Sequence, residues 1–443
     1  MNLQYFKVFR FSGDFFCAHH SKLKSPWQKF IPGFVFLSQS NPESRNPKQK
    51  NLKPKTRMQL VFSDAQYWED FLPLTFTRPV AEMRCGILTF SERWQKILDS
   101  TEISWFTELY LQGKFREPEK KESLFLVPNF LPTEKVIQQI KKLKQGEALV
   151  YEDELVAAKI NMDGFSLNQI EKMTDIKEEL IFFKKPTDLF TFNKEAIDFD
   201  FELLTQGKTS QELSSTNGFL GNKEDLFIEE GAEVEFSTIN TKTGKIYIGK
   251  NAEVMEGCNL RGPIALCEGS KFNLGAKIYG ATTVGPHSKV GGEVSNIIIF
   301  GYSNKGHDGF IGNSVIGEWC NLGADTNSSN LKNNYGTVKL WNYRTKDFQD
   351  TGLQFAGVIM GDHSKTAINT QLNTGTVIGV ASNIFKEGFP PNLIENFSWG
   401  GFKDDERFKL DKAYEVAEKV MARRKLPLAE HDKAIFKHIF ENY

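Results

Sequence analysis

The chain has 443 residues, a formal net charge of −1, 40% hydrophobic residues and 25% charged residues, the make-up of an ordinary globular protein with room for two or three domains. The near-zero charge excludes a global field for nucleic acid or an anionic membrane, and no apolar run approaches the ~18–20 residues of a membrane span. Cys17, Cys85, Cys258, Cys267 and Cys320 show no paired metal or disulfide spacing, which fits a reducing, cytoplasmic setting.

Residues 1–57 carry eleven Lys or Arg against Asp14 and Glu43 and end in a polar, Pro-containing run; they read as a disordered or non-native extension. Met58 then precedes "QLVF", a strand pattern. Residues 58–183 alternate strand-like and helix-like pieces, the signature of an α/β domain. "FSERWQKILDS" predicts a helix with Trp94, Ile97 and Leu98 on one face, and "PTEKVIQQIKKLKQG" a second, with Pro132 near its start and Gly146 past its end. "EALVYEDELVAAKI" predicts a hairpin. Residues 184–226 read as a linker packed between domains.

Over residues 227–390 the period changes. Ile248, Val254, Leu260, Leu266, Phe272, Ile278, Val284 and Val290 fall six positions apart without a miss. With large apolar residues filling roughly a quarter of an average chain, eight in phase is on the order of a one-in-10⁴ to 10⁵ event. Neither a helix nor a strand repeats every six residues. A prism of three flat faces does, each short strand sending one large side chain inward before the chain turns. The repeat is expected to be interrupted near Ser295, to re-form at Ile316 and Leu322, and to continue after an insertion over residues 328–352. Residues 391–443 contain two amphipathic patterns, "FKLDKAYEVAEKVMARRK" and "AEHDKAIFKHIFENY", expected to form a helical cap over the open last coil.

The candidate chemistry lies where the repeat breaks, in "SNKGHDGFIGNSVIGEWCNLGADTNSSN". His307 sits between Gly306 and Gly309, where backbone approaches a ligand closely, and an imidazole is a general base near neutral pH without a metal. Asn330 supplies an amide, and Lys339 a cation for a phosphate. His287, His307 and His363 lack the spacing of convergent zinc ligands, so no metal site is expected.

"KGHDGFIGN" and "NLGADTNSSN" are similar to the base-histidine and asparagine segments of a family of bifunctional sugar nucleotidyltransferase–acyltransferases. "GVIMGDHSKTAINTQLNTGTVIG" resembles that family's terminal coils, and "LPLTFTRPVAEMRCGI" its nucleotide-binding segment. The resemblance implies an α/β nucleotidyltransferase-like N-terminal domain, a left-handed parallel β-helix and a helical cap. It implies catalytic roles for His307 and Asn330 and substrate contacts from Lys339 and Lys305; Arg261, in "LRGP", is a further candidate for a sugar phosphate, and Thr75, Arg78 and Arg84 are the candidates for nucleotide contacts. The implied activity is acetyl-CoA-dependent N-acetylation of an amino-sugar-1-phosphate such as glucosamine-1-phosphate, coupled to nucleotidyl transfer giving a UDP- or dTDP-sugar. Mg²⁺ is required only for the second reaction, and a homotrimer with sites between its rods is implied. The alternatives are a sugar-1-phosphate nucleotidyltransferase with a structural β-helix, and a non-catalytic nucleotide-sugar-binding scaffold. The sequence departs from the family pattern at several points. "SDAQYWED" lacks glycine, Val80 stands where relatives have lysine, "VPNF" replaces a metal-binding aspartate, and Phe310 and Asp325 replace tyrosine and glycine.

Overall fold

The computed structural model describes residues 58–443, so the extension expected over residues 1–57 lies outside the described residues. The first domain is built on a six-stranded sheet. Its strands are β1 (Gln59–Ser63), β2 (Ile103–Phe106), β3 (Glu122–Leu126), β4 (Glu147–Tyr151), β5 (Glu154–Asn161) and β6 (Lys172–Asp175), in the order β2-β1-β3-β5-β4-β6. β1 pairs in parallel with β2 and β3, while β4 and β5 form the expected antiparallel hairpin. Helix α1 (Phe90–Leu98) opens with a capping box: the Thr89 hydroxyl accepts from the Glu92 amide at 3.1 Å, and the Glu92 carboxylate accepts from the Thr89 amide at 2.7 Å. α2 (Glu134–Lys141) starts on Thr133 in a similar way.

Residues 184–205 are not a linker strand of chain. They contain α3 (Pro186–Thr191) and α4 (Asn193–Thr205), and α4 lies between the sheet domain and the repeat region. The buried Asn193 amide donates to Ala281 O at 2.8 Å. Phe201 packs edge-on against Phe227 with centroids 6.4 Å apart.

Beyond α4 the six-residue period builds a parallel β-solenoid of three faces. The first face runs from Leu226–Ile228 to Leu393–Ile394, the second through nine strands from Glu233–Val234 to Trp399–Gly400, and the third starts at Gly218–Leu220. The solenoid therefore extends past the 227–390 expected for it at both ends. In-register pairing stacks inward residues into columns: Ile248, Leu266, Val284, Ile299 and Ile316 on the first face, and Val234, Val254, Phe272 and Val290 on the second. All are buried. The expected interruption near Ser295 is a shortened coil. Partners Leu266 and Val284 are 18 residues apart, whereas Val284 and Ile299 are 15 apart. Here two nine-residue strands, Glu293–Gly301 and Phe310–Glu318, run through the corner between the third and first faces.

One corner carries a column of rings. His287, Tyr302, Trp319 and His363 each adopt positive φ and stack in turn, with centroids 5.2, 4.3 and 6.1 Å apart. The C-terminal helices α5 (Leu410–Ala422) and α6 (Glu430–Asn442) pack beside this column rather than capping the open end. Phe436 meets the His363 ring at 5.0 Å, and His438 stacks on Tyr110 of the first domain at 4.1 Å. The last coil is met instead by the segment before α5, where Trp399 N donates to Glu406 O at 3.1 Å and Phe408 stacks on Trp399. The insertion leaves after Asn327–Ser328 and carries a hairpin, Lys339–Asn342 with Asp347–Asp350. Its Arg344 reaches Asp70 of the first domain at 2.7 Å.

Phe272 is fully buried in the second-face column between Val254 and Val290. Phe272→Ala removes a ring that neighbouring coils cannot replace and is expected to cost about 3–5 kcal/mol, measured as a shift in the denaturant midpoint.

Candidate active site

His307 lies on the turn from the second to the third face, and its side chain is exposed. It opens onto a groove of about 600 Å³ that runs along the turns of successive coils. Two side chains fix the turn from inside and below. Asn273 donates to Gly306 O at 2.8 Å, and Lys305 donates to His307 O at 2.8 Å and to Gly291 O at 3.0 Å. Gly309 has φ +105°, and a Cβ there would meet Thr326 O at 2.3 Å, so only glycine closes this turn.

The expectation that Lys305 holds a substrate phosphate is corrected. Lys305 pairs with Val290 and occupies the inward position of the second-face column, where it is 2% exposed. Its ammonium is spent on backbone carbonyls. Burial lowers this amine from its ordinary 10.5 to about 8, because a charge removed from water loses solvation that three neutral acceptors only partly replace.

Asn330 is at a different corner, after the third face. Its amide donates to Asn313 Oδ1 at 2.8 Å. The Asn330 amide and the Phe310 ring close on Gly312 from two sides, where a Cβ would stand 2.5 and 2.7 Å from them. One chain therefore does not bring His307 and Asn330 onto one groove. Lys339 is exposed on the insertion hairpin opposite Asp350. Arg261 ends a third-face strand and is absent from the walls of the His307 groove. His287 and His363 belong to the ring column at another corner, so the three histidines do not converge. Burial holds His363 well below the usual imidazole range.

The groove contains Lys271, Lys289 and Asp308, which sequence reasoning missed, and Asp325, which it noted only as a departure from the family pattern. The signal was present. Lys271 and Lys289 each precede an inward residue, Phe272 and Val290, and stand one coil apart on the outward side.

The expected nucleotide contacts are also corrected. The Thr75 hydroxyl donates to Trp68 O at 2.6 Å. Arg78 is buried between the domains, paired with Asp362 and, at 3.3 Å, with Glu318, and its guanidinium lies over Phe300. Thr77 adds a hydrogen bond to Asp362 at 2.6 Å. Arg84 is buried too, donating to Phe300 O at 3.2 Å and pairing with Glu92. Next to them Arg93 and Asp200 form an ion pair whose side chains are fully buried, and Asp200 also accepts from the Ile87 and Leu88 amides. In "VPNF", Pro128 O accepts from Trp94 at 3.0 Å and the Asn129 amide donates to Phe183 O at 2.6 Å. The segment that resembles a nucleotide-binding motif is thus the fastening between domains.

A sheet domain joined to a parallel β-solenoid, with an exposed histidine on a braced turn, defines a two-module architecture. Residues 59–209 match the family model for sugar nucleotidyl transferases. The bifunctional protein GlmU of Methanocaldococcus jannaschii is 36% identical over 87 residues, 20% of this chain and 21% of that protein. The bifunctional sugar-1-phosphate nucleotidylyltransferase/acetyltransferase of Sulfurisphaera tokodaii is 31% identical over 144 residues, 32% of this chain and 35% of that protein. The matches thus span a fifth to about a third of these relatives' length. A solved UDP-N-acetylglucosamine acyltransferase from Campylobacter jejuni aligns with 52% of this chain and 96% of its own at 14% identity and a TM-score of 0.16, too low a likeness to bear on function. The chain is therefore similar to sugar nucleotidyl transferases over residues 59–209 and, over shorter segments, to bifunctional nucleotidylyltransferase/acetyltransferases. Among the described residues no helix is long and apolar enough to cross a membrane.

These placements have two measurable consequences. Arg78→Ala leaves Asp362 buried and unpaired and is expected to cost about 3–5 kcal/mol of stability, read by thermal denaturation. Lys305 binds its proton less tightly folded (about 8) than unfolded (10.5). Between those values the unfolded chain holds more protons, so stability rises with pH. The stability of the wild type relative to Lys305→Met is expected to be flat below pH 8 and to increase from about pH 8 to 10.5 in urea titrations; a decrease in that window contradicts the assignment.

Proposed function

We propose that the chain transfers the acetyl group of acetyl-CoA to the amine of an amino-sugar phosphate, of which glucosamine-1-phosphate is the representative acceptor. The observation that carries this reading is the exposed His307 side chain on a turn whose backbone carbonyls are held by Lys305 and Asn273 beside an open groove. In the reaction the acceptor amine attacks the thioester carbonyl while the His307 imidazole takes its proton. The C–N bond forms, the C–S bond breaks, and the imidazolium returns a proton to the departing thiolate. An N–H donor stabilises the tetrahedral oxyanion. The Asn330 amide fills that role from a second copy of the chain, because its own corner faces away from the His307 groove. A homotrimer supplies such a neighbour. Phe236, Leu274 and Ile368, 63, 68 and 69% exposed on turns of the same corner as His307, support an interface along that edge. A cytoplasmic setting suits the acetyl-CoA requirement.

A second reading, transfer of a uridylyl or thymidylyl group to the sugar-1-phosphate, is favoured by the family match over residues 59–209. It requires Mg²⁺, and the residues present do not fit that ion. Asp64, which directly follows β1, is buried and accepts from the Val80 amide and the Thr107 hydroxyl, and burial pushes its carboxyl up to about 7. Arg78 and Arg84 are engaged between the domains. Acetyl transfer is therefore the reading supported best.

Purified protein given acetyl-CoA and glucosamine-1-phosphate is expected to release CoA thiol, and His307→Ala to slow that release by a factor on the order of 10² to 10⁴. Release at the wild-type rate in His307→Ala overturns the base assignment. Pyrophosphate formation from UTP or dTTP, sugar-1-phosphate and Mg²⁺, unaffected by His307→Ala, identifies the second reading instead.

A further inference from the structure

We infer that Lys289 is the cation that holds the acceptor's phosphate, and that the charge order along the His307 groove sets the direction in which a phosphorylated amino sugar lies. This rests on the acetyl-transfer reading above. None of the cations expected for the phosphate serves it within this groove. Lys305 is inside the prism, Lys339 faces Asp350 on the hairpin, and Arg261 lies outside the groove walls.

The strand registers give the order of what remains. Glu253, Lys271, Lys289 and Asn304 occupy the same outward position on successive rungs of the second face, and parallel rungs stand ~4.8 Å apart. Lys271 is neutralised by its ion pair with Glu253. Lys289, half-buried on the next rung toward His307, makes no ion pair with any described residue, and both lysines line the groove. The groove is also walled by Asp308, which follows His307 on the same turn, and, one coil further, by Asp325. The groove therefore carries an ammonium without an ion pair one rung before His307, and carboxylates on His307's own turn and on the coil beyond.

An acceptor bearing one phosphate and one amine fits that order in a single sense. Its phosphate meets Lys289, and its amine lies between His307 and the carboxylates. The reversed molecule sets its phosphate against Asp308 and Asp325 and leaves Lys289 unpaired, and like charges so placed reject a wrong pose. A lysine holds phosphate as a point charge with three donors, and a charge-assisted hydrogen bond of this kind is worth roughly a 10- to 100-fold change in binding.

The test compares glucosamine-1-phosphate with glucosamine as acceptors for wild type, Lys289→Gln and Lys289→Arg. Lys289→Gln is expected to raise KM for the phosphorylated acceptor roughly 10- to 100-fold with kcat little changed. It is expected to leave kcat/KM for glucosamine unaltered, and Lys289→Arg to restore most of the loss. Equal losses with both acceptors, no loss with either, or a larger effect from Lys271→Gln overturns the assignment. If the wild type acetylates neither acceptor, the acetyl-transfer reading fails, and calorimetry decides Lys289 separately. Glucosamine-1-phosphate binding that is present in wild type and lost in Lys289→Gln upholds the site; equal binding by both, or none by the wild type, overturns it.

Discussion

Each coil of the solenoid must place one large side chain inside the prism from each flat face, and every other position is set by that demand. Residues on either side of an inward one point outward, and the turns between faces are free to carry polar groups. In-register parallel pairing then repeats the choice at every rung, so outward residues form rows as regular as the buried columns. The same demand makes Lys305 unusual. It stands where Val254, Phe272 and Val290 stand in earlier rungs, and the interior accepts it only because backbone carbonyls of the adjoining turn receive its ammonium. A buried charge that would be a liability in an apolar column becomes the clamp for the turn that displays His307.

The interface between modules shows a related economy. Arg78, Arg84 and Arg93 lie within one short stretch and are all buried, with Asp362, Glu318, Glu92 and Asp200 as partners. Guanidinium groups committed in this way are dry and bound in fixed geometry, and a phosphate would have to break those pairs to reach them. Loss of one partner strands the other in a low-dielectric setting. The sheet domain, the helix α4 and the solenoid are therefore held as one body through charges that in a nucleotide site would face solvent. Likeness to sugar nucleotidyl transferases over residues 59–209 does not by itself supply a nucleotide site here, since Thr75, Arg78 and Arg84 are turned inward.

Much of the architecture was legible in the residues themselves. The six-residue period, the strand after Met58, the helix over Phe90–Leu98 and the β4–β5 hairpin each rest on interactions within a few residues or one coil, and all are present. The tail helices were legible as amphipathic segments, but the partner of their apolar faces was not. They cover a column of rings and touch Tyr110, contacts that no local pattern encodes. Residues 184–205 read as linker because their turn signals dominate, while α3 and α4 are held by packing against the neighbouring elements.

For the candidate site, the residues alone singled out one turn for attention: His307 between glycines, at the break in a strict repeat. That much rests on chemistry local to the turn. The folded chain settled where the groups point. A coil of 15 residues in place of 18 shifts Lys305 onto an inward rung, and the path around the prism sends Asn330 to a different corner from His307. Arg78 meets Asp362 across 284 positions of sequence. Spacing reports which neighbours lie along the chain, whereas burial and pairing are set by neighbours across it, and that is why the fold could be read from its period while the burial of Lys305, Arg78 and Arg84 could not.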